Sequence, residues 1–296
     1  MGDPWRLLYY WRSRHQRAAL FAAYDRKAHA AGLDCLHFVL SFDCDTPDDI
    51  EASEIAEARL RKMGVKPVYA VPGELLEQGR AVYGAIARRG AEFLNHGFRE
   101  HVRWDRAVGA YRSCLFYDQI SREEAAEDIR CGHAALEQIL GVRPRGFRTP
   151  HFGTFQKRSQ LRWLHWFLRG LGYEFSSSTM PGMAFRYGAR FSRLGLFEFP
   201  LSGGFTYPLR LLDSWGCYRA PGRTLGEAAY RDEGRQWASL LRRERYAGIL
   251  NYYVDPSHIV RSEAFFETVH AWTEAAHNCS YAELLPGAVT GCGRGE

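Results

Sequence analysis

The stretch HFVLSFDCDTPDD, residues 37–49, begins as an apolar, β-branched and aromatic run and ends on acids. A run of this kind reads as a strand buried on both faces. Its terminal Asp43 and Asp45 therefore need a partner, because a desolvated, unpaired carboxylate costs roughly several kcal/mol. In an extended segment residues i and i+2 project to the same side, so these two acids face one way and Cys44 the other. Like-facing carboxylates repel, and a bound cation shared with one or two imidazoles removes that penalty. Asp with two His is an ordinary catalytic zinc shell that leaves a position open for water.

Working outward, short apolar runs at 36–43, 66–72, 91–97, 146–152, 173–178, 196–202 and 248–256 alternate with helical patterns at 48–63, 74–89, 121–140, 157–170, 225–246 and 262–277. This βαβα alternation specifies a parallel sheet or barrel. Seven strands predict an α/β fold, a distorted (β/α)7 barrel with an added N-terminal helical segment. Thr46 with Pro47 reads as a helix start, SREE from Ser121 as a capping box, and Gly141 and Gly172 as helix exits. The connection 102–120 is too long for a simple turn and is expected to lie over the site. The expected organisation is an amphipathic helical segment over 1–34, the barrel over 35–284 and a flexible tail over 285–296.

No segment approaches the roughly 20 consecutive apolar residues of a membrane span, which predicts a soluble chain. The net charge of +5 comes from arginine, since Lys27, Lys62, Lys66 and Lys157 are the only lysines. These arginines form no single stripe and no aromatic-basic motif, so nucleic acid is not an expected partner. Seven cysteines without a C-x-x-C pair indicate neither a disulfide framework nor a thiolate zinc site, and suit a reducing compartment. The N-terminus lacks the apolar core of a signal peptide, which predicts a cytoplasmic location. Its interleaved Trp, Tyr, Leu and Arg fit either a helix packed on one end of the domain or peripheral membrane contact through residues 5–24.

Polar residues gather where the strands end. Asp43 and Asp45 close the first strand, His96 the third, with Glu100 and His101 beyond. Arg148 and His151 mark the fourth, and Asp255 and His258 follow the seventh. In barrels this carboxyl face collects the active residues. His37, inside the first strand, reads instead as a satisfied core histidine.

In this order SFDCD, NHGFREH, FRTPHFG, FEFPLSGG and NYYVDPSHI resemble the successive motifs of the polysaccharide deacetylases of NodB-homology type, carbohydrate esterase family 4, over about residues 36–260. The resemblance implies a NodB-type barrel acting as a metal-dependent carbohydrate N-deacetylase on an amino sugar that is free, nucleotide-linked or lipid-linked. It implies Asp43 as general base, Arg148 as the group that orients it, and Asp45, His96 and His101 as ligands of one divalent ion. Zinc is the expected ion, although cobalt or nickel accept the same donors.

Two departures from the family pattern leave alternatives open. The second-motif histidines stand five apart instead of four, so Glu100 competes with His101 as ligand. At the fifth motif Asp255 replaces the usual histidine, so the general acid is His258 or Asp255 itself. His151, Pro150 and Trp104 are expected to line the substrate pocket. Trp104, Tyr111, Phe116 and Tyr117 either stack on sugar rings or pin the loop. The rival functions are hydrolysis of another C–N amide, a formamide or cyclic amide, and a non-catalytic glycan-binding barrel.

Overall fold

The computed structural model describes residues 4–219 and 224–288. Most of the expected tail, residues 289–296, lies outside them, whereas Leu284 and Leu285 are buried in the core. In chain order the elements are α1 (Pro4–His15), α2 (Arg17–Ala30), β1 (Leu36–Asp43), α3 (Asp48–Lys62), β2 (Val68–Val71), α4 (Gly73–Gln78), α5 (Arg80–Arg88) and β3 (Phe93–Asn95). Next come the hairpin β4 (Val102–Asp105) and β5 (Ala110–Ser113), then α6 (Arg122–Leu140), β6 (Gly146–Phe147), α7 (Arg158–Gly170), β7 (Phe175–Ser176), α8 (Pro181–Tyr187), β8 (Phe191–Arg193) and β9 (Leu196–Glu198). The chain ends with α9 (Glu227–Arg243), β10 (Gly248–Val254), α10 (Pro256–Ile259), α11 (Glu263–Ala275) and β11 (His277–Asn278).

Strand order is β10-β1-β2-β3-β6-β7-β9-β8, parallel throughout except for β8, which is antiparallel to β9. The seven parallel strands of this order are the seven read from the sequence, and β11, also parallel to β1, is an addition. Each residue of β1 is buried, as expected when both faces of a strand are covered. β1 pairs along its whole length with β10, from Leu36 opposite Gly248 to Phe42 opposite Val254, and β2 and β11 share its other edge. The sheet curls into a half-barrel. Its two ends meet through Ser202 N donating to Asn251 O at 2.8 Å, after β9 has ended.

Ser121 forms the expected capping box with Glu124, and Gly141 ends α6 in the left-handed region at φ 68°. Two expectations are corrected. Thr46 does not cap α3: its hydroxyl donates to Asp49 Oδ2 at 2.8 Å, and the Asp49 carboxylate also accepts from the Thr46 and Asp45 amides. The helix expected over 74–89 is two, broken at Gly79, where a Cβ would lie 2.7 Å from the Tyr83 ring. In the N-terminal segment Leu20, Phe21, Tyr24 and Ala28 of α2 belong to the main core, and the Tyr24 hydroxyl bonds both the amide and carbonyl of Ile249.

Candidate metal centre and active site

Asp43 and Asp45 leave the end of β1 two residues apart, and Cys44 between them turns away, its Sγ 3.5 Å from Ser53 Oγ. This is the alternation that an extended segment imposes. Asp43 Oδ1 accepts from Arg148 Nη1 at 2.5 Å, with Arg148 wholly buried. The guanidinium also donates to Ser41 Oγ, to the Ser177 carbonyl and hydroxyl, and to Tyr281 Oη at 2.6 Å. Every edge of the cation is thus occupied. A buried charge is tolerated when paired and hydrogen-bonded in this way.

Asp45 Oδ1 lies 2.7 Å from His101 Nε2 and 3.5 Å from His96 Nε2. One ligand atom from each of Asp45, His96 and His101 falls within 4.8 Å of the others. His96 Nδ1 sits 2.9 Å from the Arg148 carbonyl, which makes Nδ1 the donor and leaves the Nε2 lone pair toward Asp45. A second bond that fixes the tautomer is the usual support for a metal-ligating imidazole. Burial raises the Asp45 carboxyl, but the two imidazoles outweigh it and hold it well below the usual range. For His101 burial works downward, and the Asp45 charge overcomes it to give a net rise. Two imidazoles converging on one carboxylate fit a divalent ion.

The five-residue spacing is absorbed at the corner after β3. Gly97 adopts φ 84°, and a Cβ there would lie 2.4 Å from Asp128 Oδ2, so glycine suits both the turn and the close approach. The turn brings His101 into the cluster. Glu100 stays outside it, its amide donating to Glu74 Oε2 at 2.5 Å and its carboxylate facing Arg103.

On the other side Asp255, buried, is held by Ser214, whose hydroxyl donates to Asp255 Oδ1 at 3.3 Å and accepts from the Asp255 amide at 2.9 Å. His258 Nδ1 reaches the same hydroxyl at 3.1 Å. Asp255 Oδ2 accepts no hydrogen bond among the described residues and has His258 Nδ1 at 3.8 Å. Burial, then the charges of Asp45, Asp49, Asp43 and Asp213, push the Asp255 carboxyl well above its ordinary range. His258 is driven the opposite way, down to about 3, by burial and by the Arg219 charge. The two groups are thus shifted in opposite senses, the Asp255 carboxyl toward its protonated form and the His258 imidazole toward the neutral ring.

The remaining expected residues divide. His151, at φ 54°, donates through Nε2 to the His101 carbonyl at 2.9 Å and stands 4.7 Å from the Phe116 ring. Pro150 is buried beside it. Trp104 is half exposed on β4, edge-on to Tyr111, and is not drawn into the cluster. Tyr117 is buried and donates to Asp128 Oδ2 at 2.6 Å, which makes it a pin for the loop.

Three positioning residues escaped the sequence reading. Asp49 ties the corner after β1 to Ser257 N at 2.9 Å. Asp213 accepts from Tyr253 Oη at 2.8 Å, and Ser214 bridges Asp255 and His258. The signal for the last two was the acid, hydroxyl and aromatic of DSWG at 213–216. None of the described helices is long and apolar enough to cross a membrane.

A curled parallel half-barrel with an Asp-His-His cluster and an Arg-anchored acid at its carboxyl face defines the class of the protein. Residues 34–163 match the family model described as polysaccharide deacetylase, and the likeness inferred from the motifs is thereby shown over that stretch. Among solved structures, one described as a polysaccharide deacetylase from Mycobacterium smegmatis superposes with a TM-score of 0.59 at 19% identity, over 86% of this chain and 89% of that one. Another so described, from Pseudomonas aeruginosa PAO1, gives 0.61 at 11% identity, over 87% and 92%. The Puue allantoinase gives 0.58 at 10% identity, over 85% and 84%. At these identities the likeness is one of fold. No curated protein matches the chain.

Proposed function

We propose that the protein is a metal-dependent hydrolase that removes an N-acyl group, acetyl in the first instance, from an amino sugar in a glycan or glycolipid precursor. One observation carries this reading: Asp43 and Asp45, two residues apart at the end of β1, enter the Arg148 pair and the His96–His101 cluster respectively. Asp45, His96 and His101 would hold one divalent ion, zinc by the chemistry of the donors, which when bound supplies Lewis acidity toward the acyl carbonyl and acidifies a neighbouring water. Asp43, oriented by Arg148, accepts the proton of the attacking water. Asp255, kept protonated by burial among acids, delivers a proton to the departing amine, and Ser214 fixes its orientation. Exposed Leu7, Leu8 and Trp11 on α1 support peripheral contact with a lipid surface.

The test is turnover of N-acetylated sugars by metal-replete protein, beside formylated and cyclic amides, with Asp43→Asn as control. The variant is expected to lose about 10²–10⁴-fold in turnover, the range of a general base, while retaining its metal content. Full turnover by Asp43→Asn removes Asp43 from the chemistry. Turnover of cyclic or formyl amides alone redirects the reading to another C–N bond, and no turnover of any of them leaves the glycan-binding barrel.

A further inference from the structure

A cavity of about 690 Å³, lined by none of the cluster residues, lies between α1, α8 and the start of α7. Gln156 from the loop leaving β6, Met180 from the loop leaving β7 and Leu209 from the loop leaving β9 also line it. The cavity thus sits at the carboxyl side of the strands, the side that bears Asp43 and the histidines. Its size lies within the roughly 300–1,000 Å³ of small-molecule pockets. One part of its wall is apolar, with Leu7, Leu161 and Met183 among its residues.

The other part is cationic. Arg6, Arg158, Arg186 and Arg193 line the cavity, no carboxylate does, and none of the four makes an ion pair among the described residues. Arg186 lies over the Trp5 ring at 4.6 Å and Arg6 at 5.7 Å, so two of the guanidinium planes rest on an aromatic face, with no acid partner. Helix α1 contains no acid, and Leu7, Leu8 and Trp11 are about half exposed or more on it.

We infer that this cavity binds an anionic amphiphile, a long-chain alkyl or prenyl phosphate, with the hydrocarbon against the apolar wall and the phosphate on the arginines. A free phosphate would leave the apolar wall unused, and a neutral lipid would leave four guanidinium groups unmatched. Arginine suits phosphate because its planar fork donates in pairs. That the amphiphile carries the acylated sugar, so that the substrate is a lipid-phosphate-linked amino sugar, rests on the hydrolase reading above. The binding itself does not.

The probe is dodecyl phosphate below its micelle-forming concentration, titrated against the full chain with tryptophan fluorescence and calorimetry as readouts. Saturable binding to a single site is expected, with at least tenfold weaker binding in an Arg186→Ala, Arg193→Ala double variant that still turns over a soluble N-acetylated sugar at the wild-type rate. Inorganic phosphate and dodecyl maltoside are expected not to compete. Equal binding of inorganic phosphate would reduce the site to an anion site, and binding to anionic vesicles without binding of the monomer would make it a membrane surface. An unchanged affinity in the double variant would also overturn the inference. Asp43→Asn is expected to bind dodecyl phosphate as the wild type does. If it does and no amide is hydrolysed by the wild type, the hydrolase reading fails and the cavity stands. If soluble sugars are hydrolysed but a prenyl phosphate carrier does not lower KM, the substrate assignment fails and the hydrolase stands.

Discussion

Arg148 is the residue on which the site's electrostatics turn, because it is fully buried and five protein groups accept its hydrogen bonds. Removing one partner of a buried ion pair leaves the other charge stranded, at a cost of about 3–5 kcal/mol. Arg148→Met is therefore expected to destabilise by that amount in urea unfolding, and the Asp43→Asn, Arg148→Met pair by clearly less than the sum of the single changes. Additivity would show that the two side chains do not depend on each other. The acid can be located in the same manner. Asp255→Asn is expected to lower turnover of an amide about 10²-fold and His258→Gln less than tenfold. With an activated aryl acetate, whose leaving group needs no proton, the Asp255→Asn loss should vanish. A larger loss in His258→Gln on the amide would move the acid to the imidazole. None of this division was legible in the sequence, since DPSH offers both groups three residues apart, and only burial among Asp43, Asp45, Asp49 and Asp213 separates them.

Among the elements, β1 was the most legible because burial on both faces writes itself as an unbroken apolar run, and the other six parallel strands were found for the same reason. The hairpin β4–β5 was read only as a long connection, because its residues are mostly exposed and show no apolar face. The seven residues of α8 gave too few turns for a period. His37, read as a core histidine of β1, has Cys35 Sγ at 3.4 Å from Nε2 and Cys279 Sγ at 3.4 Å from Nδ1, with His277 and Arg190 as the charged or titratable groups nearby. Burial first, then the neighbouring His277 and Arg190, bring its pKa from 6.5 down to about 4. The folded chain thus holds the ring neutral while the unfolded chain protonates it. Its contribution is complete above pH 6.5 and is lost as pH falls toward 4, a change of about 3 kcal/mol at most. Urea unfolding at pH 7.5 and pH 5 should show a shallower loss for His37→Phe than for the wild type. Parallel losses would mean that the ring is not what titrates along this seam.

At the scale of the whole molecule the two N-terminal helices carry different burdens, although the sequence presents them as one amphipathic stretch. Helix α2 places Leu20, Phe21 and Tyr24 in the core, each worth about 1.5–3 kcal/mol on burial. It also anchors β10, through the Tyr24 bonds to Ile249 and Asp25 accepting from the Ala247 amide at 2.8 Å. Its removal therefore approaches the roughly 5–15 kcal/mol total stability of an ordinary domain. Helix α1 touches the rest through Tyr9 packed against the core, Trp5 beside Gly182 and under Arg186, and Arg14 over Tyr207, and it exposes Leu7, Leu8 and Trp11. A chain beginning at Arg17 is expected to melt cooperatively within a few degrees of the full chain and to hydrolyse a soluble sugar equally well, yet to lose saturable binding of dodecyl phosphate. A chain beginning at Leu33 is expected not to fold, as judged by the absence of a cooperative thermal transition. If the shorter truncation abolished folding as well, α1 would be part of the core, and its apolar outer side would call for a structural explanation instead of a ligand.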